Sequence, residues 1–169
     1  RCGYEPEFIK IENMAVGSSL TLENPPNKRY KGESSHALIN GMGGTINYQD
    51  KSWQGFEAED LIAIIDLGSA KTINTVEVRF LQSQVFWIFL PYHIQIEHSS
   101  DGKNFELIYE DFPSNNFSFE QKIISYKANL GPLESRFIRV KGYNIDQCPD
   151  YHPGAGGPSW IFSDEIIIN

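Results

Sequence analysis

Positive charge is scarce in this sequence. Against 22 Asp and Glu stand 14 Lys and Arg, a formal net charge of −8. Neutralising a phosphate backbone takes clustered Lys and Arg, so the balance argues against a general nucleic-acid binder. It argues equally against an anionic membrane surface. Long apolar runs are lacking too. The longest, Leu61–Ile65 and Val85–Leu90, are strand-sized and far short of the roughly 20 residues that span a bilayer, so no membrane insertion is expected. Cys2 and Cys148 are the whole cysteine complement, too few for a disulfide scaffold. They form either one bridge closing nearly the whole chain or two separate thiols. Neither an initiator Met nor an apolar leader precedes Arg1, which reads as the edge of a segment excised from a longer protein.

Catalytic signatures are missing as well. There is no HExxH, no G-x-S-x-G and no P-loop. Cys148 and His152 are close in sequence, but adjacency does not make a nucleophile–base pair. Glu57, Glu59 and Asp60 read as a solvated cluster rather than the paired carboxylates of glycoside hydrolysis. Tyr151-His152 could mimic a lyase pair, yet few Arg or Lys are present to meet a uronate substrate. The domain itself is not expected to be an enzyme.

What the chain has in quantity is aromatic residues: 3 Trp, 8 Tyr and 11 Phe. Their placement follows from the apolar pattern, which has period two rather than 3.6. Residues 75–80, 93–97 and 136–141 alternate. The runs 61–65 and 165–168 are continuous and β-branched, as suits strands buried on both faces. Residues 105–109 and 119–126 complete the set. Turn signals at Asp66–Gly68, Ser100–Lys103, Asn129–Pro132 and Lys141-Gly142 separate them, and Asp101-Gly102 is a hairpin signal. Many short strands without long helical patterns predict an all-β, antiparallel sandwich or jelly roll. Residues 22–60, 82–92 and 144–160 read as loops. Loops carrying Trp, Tyr and His are not linkers.

Within the first loop, His36–Thr45 passes through Asn40-Gly41 and leaves by Gly43-Gly44-Thr45. Such a turn can aim carbonyls, an amide oxygen and a hydroxyl at one point, as a hard cation needs. It can equally be a plain turn that uses Gly for positive φ.

Four stretches, in order, resemble discoidin-like (coagulation factor type C) domains: Leu61–Gly68, Ser99–Phe105, Ser135–Val140 and Asp164–Ile166. The resemblance covers about residues 30–169, with 1–29 as a lead-in partly packed on the sandwich. That family includes the carbohydrate-binding modules of family 32. Trp53–Phe56, Trp87–Pro91 and Cys148–Gly157 are similar to the C-terminal module of bacterial β-hexosaminidases and chitobiases. The resemblance implies a galactose-binding-domain-like jelly roll of eight strands, non-catalytic, in an exported glycosidase of the bacterial periplasm or cell surface. It implies partners: a neutral glycan, containing N-acetylglucosamine or galactose, and the catalytic domain of the parent chain. It implies a structural Ca²⁺ held by Ala37, Asn40, Met42, Thr45, Asp164 and Glu165, although Asn40 stands where the family commonly has Asp. It also places Gln54, Phe56, Gln82, Gln84, Trp87, Tyr151, His152 and Trp160 near one sugar-binding rim. Aromatic faces beside amides and imidazole suit the C–H face and hydroxyls of a sugar. For Trp53, core is the favoured reading. The alternative for the whole domain is an interaction module without a sugar site.

Overall fold

The computed structural model describes residues 8–169; Cys2, and with it the question of a bridge, lies outside them. Nine strands run in chain order: β1 (Ile9–Lys10), β2 (Ser19–Leu22), β3 (Met42–Gly43), β4 (Gln54–Glu57), β5 (Leu61–Gln82), β6 (His93–Ser99), β7 (Glu106–Asp111), β8 (Lys122–Tyr143) and β9 (Trp160–Ile168). All pairings are antiparallel, with the order β4-β9-β5-β8-β6-β7 and β2 added to β5. β1 and β3 form a separate two-stranded ribbon. The molecule is an all-β antiparallel sandwich.

β5 and β8 are each 22 residues long and belong to both layers. The first half of β5 lies between β2 and β8, and its second half between β8 and β9. The Asp66–Gly68 signal therefore ends no strand. It marks the first of two register shifts, between Asp66 and Lys71 and between Ile73 and Thr75, where the strand pair bends from one layer to the other. Gly131, at φ 41°, lies in the matching bend of β8.

Leu61, Ala63, Ile65 and Leu67 of β5 face inward and meet Val76, Val78 and Phe80 from its second half. Ile94 and Ile96 of β6, Ile138 and Val140 of β8, and Ile166 and Ile168 of β9 close the core. The 61–65 run is not buried on both faces: Ile62 and Ile64 are only half-buried, because this part of β5 lies in an outer layer with one open side. β9 does match that expectation, and Ile161–Ile168 are buried throughout. The Asp101-Gly102 signal appears as the β6–β7 turn, with Gly102 at φ 74° and Asp101 accepting backbone N–H groups from Lys103 and Asn104.

On the outer face of β6, Glu97 pairs with Arg139 and Lys141. Burial pushes its carboxyl up, but the two cations outweigh burial and hold it below the ordinary value of 4.5. A depressed carboxylate contributes stability above its unfolded pKa and loses it as pH falls. Glu97→Gln is expected to cost about 1.5 kcal/mol at pH 7, with the difference from the parent protein shrinking as pH falls below 4.5 and on through the lowered pKa of folded Glu97, in acid-unfolding curves followed by circular dichroism.

Candidate glycan-binding groove

The β5–β6 loop builds the most unusual backbone feature of the molecule. Ser83 and Ile88 exchange backbone hydrogen bonds and close a tight loop over the 3-10 turn Gln84–Phe86. Trp87 follows with φ 66°, in the left-handed region. A bulky side chain there costs on the order of 1–2 kcal/mol, and such strain persists only where the surroundings impose it. Here Trp87 N–H donates to Gln84 O, and Trp87 O accepts from Trp160 N–H.

The indole rests on the Gly154–Gly157 loop. A Cβ added at Gly154 would sit 2.4 Å from the ring, and one at Gly157 2.6 Å. Bare backbone at these two positions lets the ring lie close against the chain. The exposed remainder of Trp87, 36% of its surface, forms one wall of a groove.

That groove, of about 230 Å³, is lined by Arg29, Tyr30, Tyr48, Phe86, Trp87, Ile88, Trp160 and Phe162. Tyr30 meets Trp160 edge-on at 5.3 Å between ring centroids, and Tyr48 lies tilted on Phe86 at 4.6 Å. Asn47, Gln49 and Gln121 border the same aromatic wall in an adjoining hollow beside Tyr48 and Phe86. Trp53 is one layer down: fully buried, it packs with Leu81, Ile88 and Phe162, and its indole N–H donates to Thr45 O at 2.8 Å. Clustered rings with amides and one guanidinium at the margin can bind a ring that has an apolar face and polar edges.

Of the residues the sequence placed at a sugar rim, only Trp87 and Trp160 line this groove. Phe56, on the outermost strand β4, points into the main core and is fully buried, so it cannot touch a ligand. Gln54 is buried as well; its amide nitrogen braces Lys31 O and Ser34 O, beside a different hollow floored by Leu20, Leu22, Pro25 and Pro26.

Gln82, Gln84 and Tyr151 do other work. They fasten the irregular segment 112–121: Gln82 donates to Glu120 O, Gln84 donates to Asn116 O and accepts from Ser118 N–H, and Tyr151 donates to Asn115 O. His152 holds the loops together. Its Nδ1 accepts from Gly154 N–H, so Nε2 carries the hydrogen and donates to Gln84 O at 2.7 Å. Both ring nitrogens are thus committed to backbone, and Cys148 is buried against Pro158 O. Neither is arranged as a nucleophile or a base.

Arg29, Tyr30 and Tyr48 of the 22–60 stretch and Phe86 of the 82–92 stretch also line the groove, although the sequence placed none of them at the rim. The available signal was an aromatic flanked by polar residues, as in Arg29-Tyr30-Lys31 and Asn47-Tyr48-Gln49.

No protein-family model matches the chain, and the search of curated proteins finds no match. Solved structures do match. Chitosan-binding module 1, derived from a chitosanase/glucanase of Paenibacillus sp. IK-5, has a TM-score of 0.59 at 13% identity, over 94% of this chain and 98% of that one. CpGH89CBM32-6, produced by Clostridium perfringens, has a TM-score of 0.56 at 17% identity, over 94% and 98%. A Streptococcus pneumoniae fucose-binding module has a TM-score of 0.57 at 12% identity, over 94% of each chain. The fold is that of a family 32 carbohydrate-binding module.

The cation loop expected of this fold can be tested on its own atoms. Glu165 is fully buried and accepts N–H groups from Asn40 and Gly41. Burial pushes its carboxyl up to about 8. Asn40 Oδ1 caps Met42 N–H at 3.0 Å. Thr45 Oγ1 donates to Asp50 and accepts from Asn47 N–H, while Thr45 O takes the Trp53 indole. Met42 is paired with Lys10 in the β1–β3 ribbon. The loop turns amide hydrogens, rather than a ring of free oxygens, toward its buried carboxylate. This donor set does not fit Ca²⁺, which takes six to eight oxygens and gains affinity from ligand charge.

Proposed function

We propose that this chain is a non-catalytic carbohydrate-binding module that holds a neutral glycan in the Trp87 groove. The observation that carries the reading is Trp87. A strained backbone, a glycine seat and backbone bonds to Gln84 and to Trp160 at the start of β9 all serve to leave one indole exposed beside Tyr30, Tyr48, Phe86 and Trp160. Structures of the same fold are named for binding chitosan, fucose and 4,5-unsaturated mannuronic acid. A neutral ring is favoured here. The groove is mostly aromatic, with Arg29 as its one cation, and the chain as a whole is acidic.

The module belongs, on this reading, to an exported bacterial glycosidase of the chitobiase type. Its contribution is targeting, because weak binding at a tethered site raises the effective concentration of substrate at the catalytic domain. Titration calorimetry with N-acetylglucosamine, chitobiose, galactose and fucose tests this. One of them is expected to bind, and Trp87→Ala to weaken it at least about tenfold, the loss of one stacked ring being worth roughly 1–1.5 kcal/mol. His98→Ala, on the β6 edge, is expected to leave binding unchanged. Binding to no sugar, or binding indifferent to Trp87→Ala, sinks the proposal.

One observation favours the interaction reading as an addition. Phe117 and Phe119, on the fastened segment 112–121, are 53% and 73% exposed and touch each other edge-on at 4.7 Å. Contact with the parent's catalytic domain would cover them. Phe117→Ser with Phe119→Ser is expected to leave sugar binding intact while loosening that association, measured by analytical ultracentrifugation of the two separate domains.

A further inference from the structure

Two carboxylates adjacent in sequence, Asp164 and Glu165, are both fully buried where β9 passes beneath the Asn40–Thr45 loop. Burying charge of one sign without compensation is costly. A fold of this kind can answer that cost with a metal, or the chain can answer it with its own atoms.

The atoms are present. Arg79, from the second half of β5, reaches Asp164 through two nitrogens. Nε lies 3.1 Å from Oδ1 and Nη2 lies 3.0 Å from Oδ2. This is the planar fork in which guanidinium–carboxylate pairs are strongest. Gly44 N–H donates to the same Oδ2 at 2.7 Å, and Gly44 O lies 3.4 Å from Arg79 Nη2. The loop is thus held to β9 through both backbone groups of one residue, Gly44, and one ion pair. Space for the guanidinium is provided at Gly43, where a Cβ would come within 3.0 Å of Nη2. Arg79 keeps only 13% of its side-chain surface exposed, and Asp164 none.

Glu165 is met differently, by the Asn40 and Gly41 amides, with Gly41 at φ 76° turning its N–H inward. Asn40, where an Asp would add a third negative group, is neutral and caps the turn. One guanidinium thus offsets the charge of Asp164, and amide N–H groups solvate Glu165, which leaves at most one uncompensated charge to attract a divalent ion.

We propose that Arg79 is the resident cation of this loop and that the domain keeps its native loop geometry without calcium. In related terms, a charge fixed to β5 does what a bound ion would do, and the fastening does not depend on the surrounding medium.

The test uses the whole chain stripped with EDTA. Saturating a site raises stability by mass action, so a calcium-holding loop would melt several degrees higher in about 5 mM CaCl₂. The expected shift is under about 1 °C. Terbium supplies a local reading, because Trp53 hydrogen-bonds to Thr45 O and would sensitise a lanthanide seated in the loop. No saturable terbium emission is expected. A calcium-induced rise of several degrees, or terbium emission displaced by calcium, overturns the proposal. Arg79→Gln completes the test. It is expected to melt more than about 5 °C lower, in calcium as in EDTA, since Asp164 then lacks its partner. An Arg79→Gln protein that melts with the parent overturns the role of Arg79. If that variant does not fold, the two measurements on the parent protein still decide.

Discussion

Gly154→Ala should abolish most glycan binding while leaving the domain folded. The added methyl would stand 2.4 Å from the Trp87 ring, closer than real Cβ contacts allow, so the indole must leave its seat. The backbone at Gly154 is not in the left-handed region, which glycines 17, 32, 41, 68, 102, 131 and 156 do adopt, so Ala brings no conformational penalty of its own there. The whole effect falls on the ring. Losing its stacking face should weaken binding at least about tenfold, equivalent to roughly 1.4 kcal/mol. Gly157→Ala should act alike, its Cβ meeting the other edge of the ring at 2.6 Å. Gly156→Ala is the control. It has φ 80° and open space around its Cβ position, so Ala there strains the backbone by about 1 kcal/mol without touching Trp87. It should lower the melting temperature by a few degrees and leave the dissociation constant unchanged. Calorimetric titration beside a thermal melt separates the two outcomes. If Gly154→Ala binds like the parent protein, Trp87 is not the platform.

Asp164→Ala should be the most damaging polar substitution in the molecule. It removes a fully buried carboxylate and leaves the largely buried Arg79 guanidinium without its ion-pair partner. Breaking a buried pair by deleting one partner costs about 3–5 kcal/mol, because the survivor stays desolvated. The Gly44 N–H loses its acceptor as well. For a chain of this size the melting temperature should drop by roughly 10 °C or more. By contrast Asp66→Ala, which breaks the more exposed pair with Arg136, should cost about 1 kcal/mol or less. Equal effects from the two would show that the Arg79–Asp164 pair has no special place in the fold.

Strand identity was legible because alternation is a local property. The bends were not. Asp66–Gly68 and Gly131 look like chain-reversing turns, and nothing local says that both halves of β5 will keep the same neighbour, β8. The site divided in the same way. Trp87 and Trp160 stood out as loop aromatics beside glycines and polar residues. Tyr30, Tyr48 and Phe86 come from separate loops, and only their meeting in space makes them a groove. Gln82, Gln84 and His152 had the chemistry of sugar ligands. A side-chain amide or imidazole satisfies a backbone group as readily as a hydroxyl, however, and sequence does not distinguish the two. In this chain the backbone of 116–120 claims the two amides, and that of Gln84 and Gly154 claims the imidazole.

Because β5 and β8 run through both layers as one continuous pair, no surface can be drawn between the layers that does not cut covalent chain. A pull on a ligand in the loops at one end is therefore resisted by both layers together, in the manner of a folded plate rather than two stacked sheets. On the proposed reading, a module that tethers an enzyme to a polymer benefits from that stiffness: under drag, the glycan should slip from the groove before the layers shear.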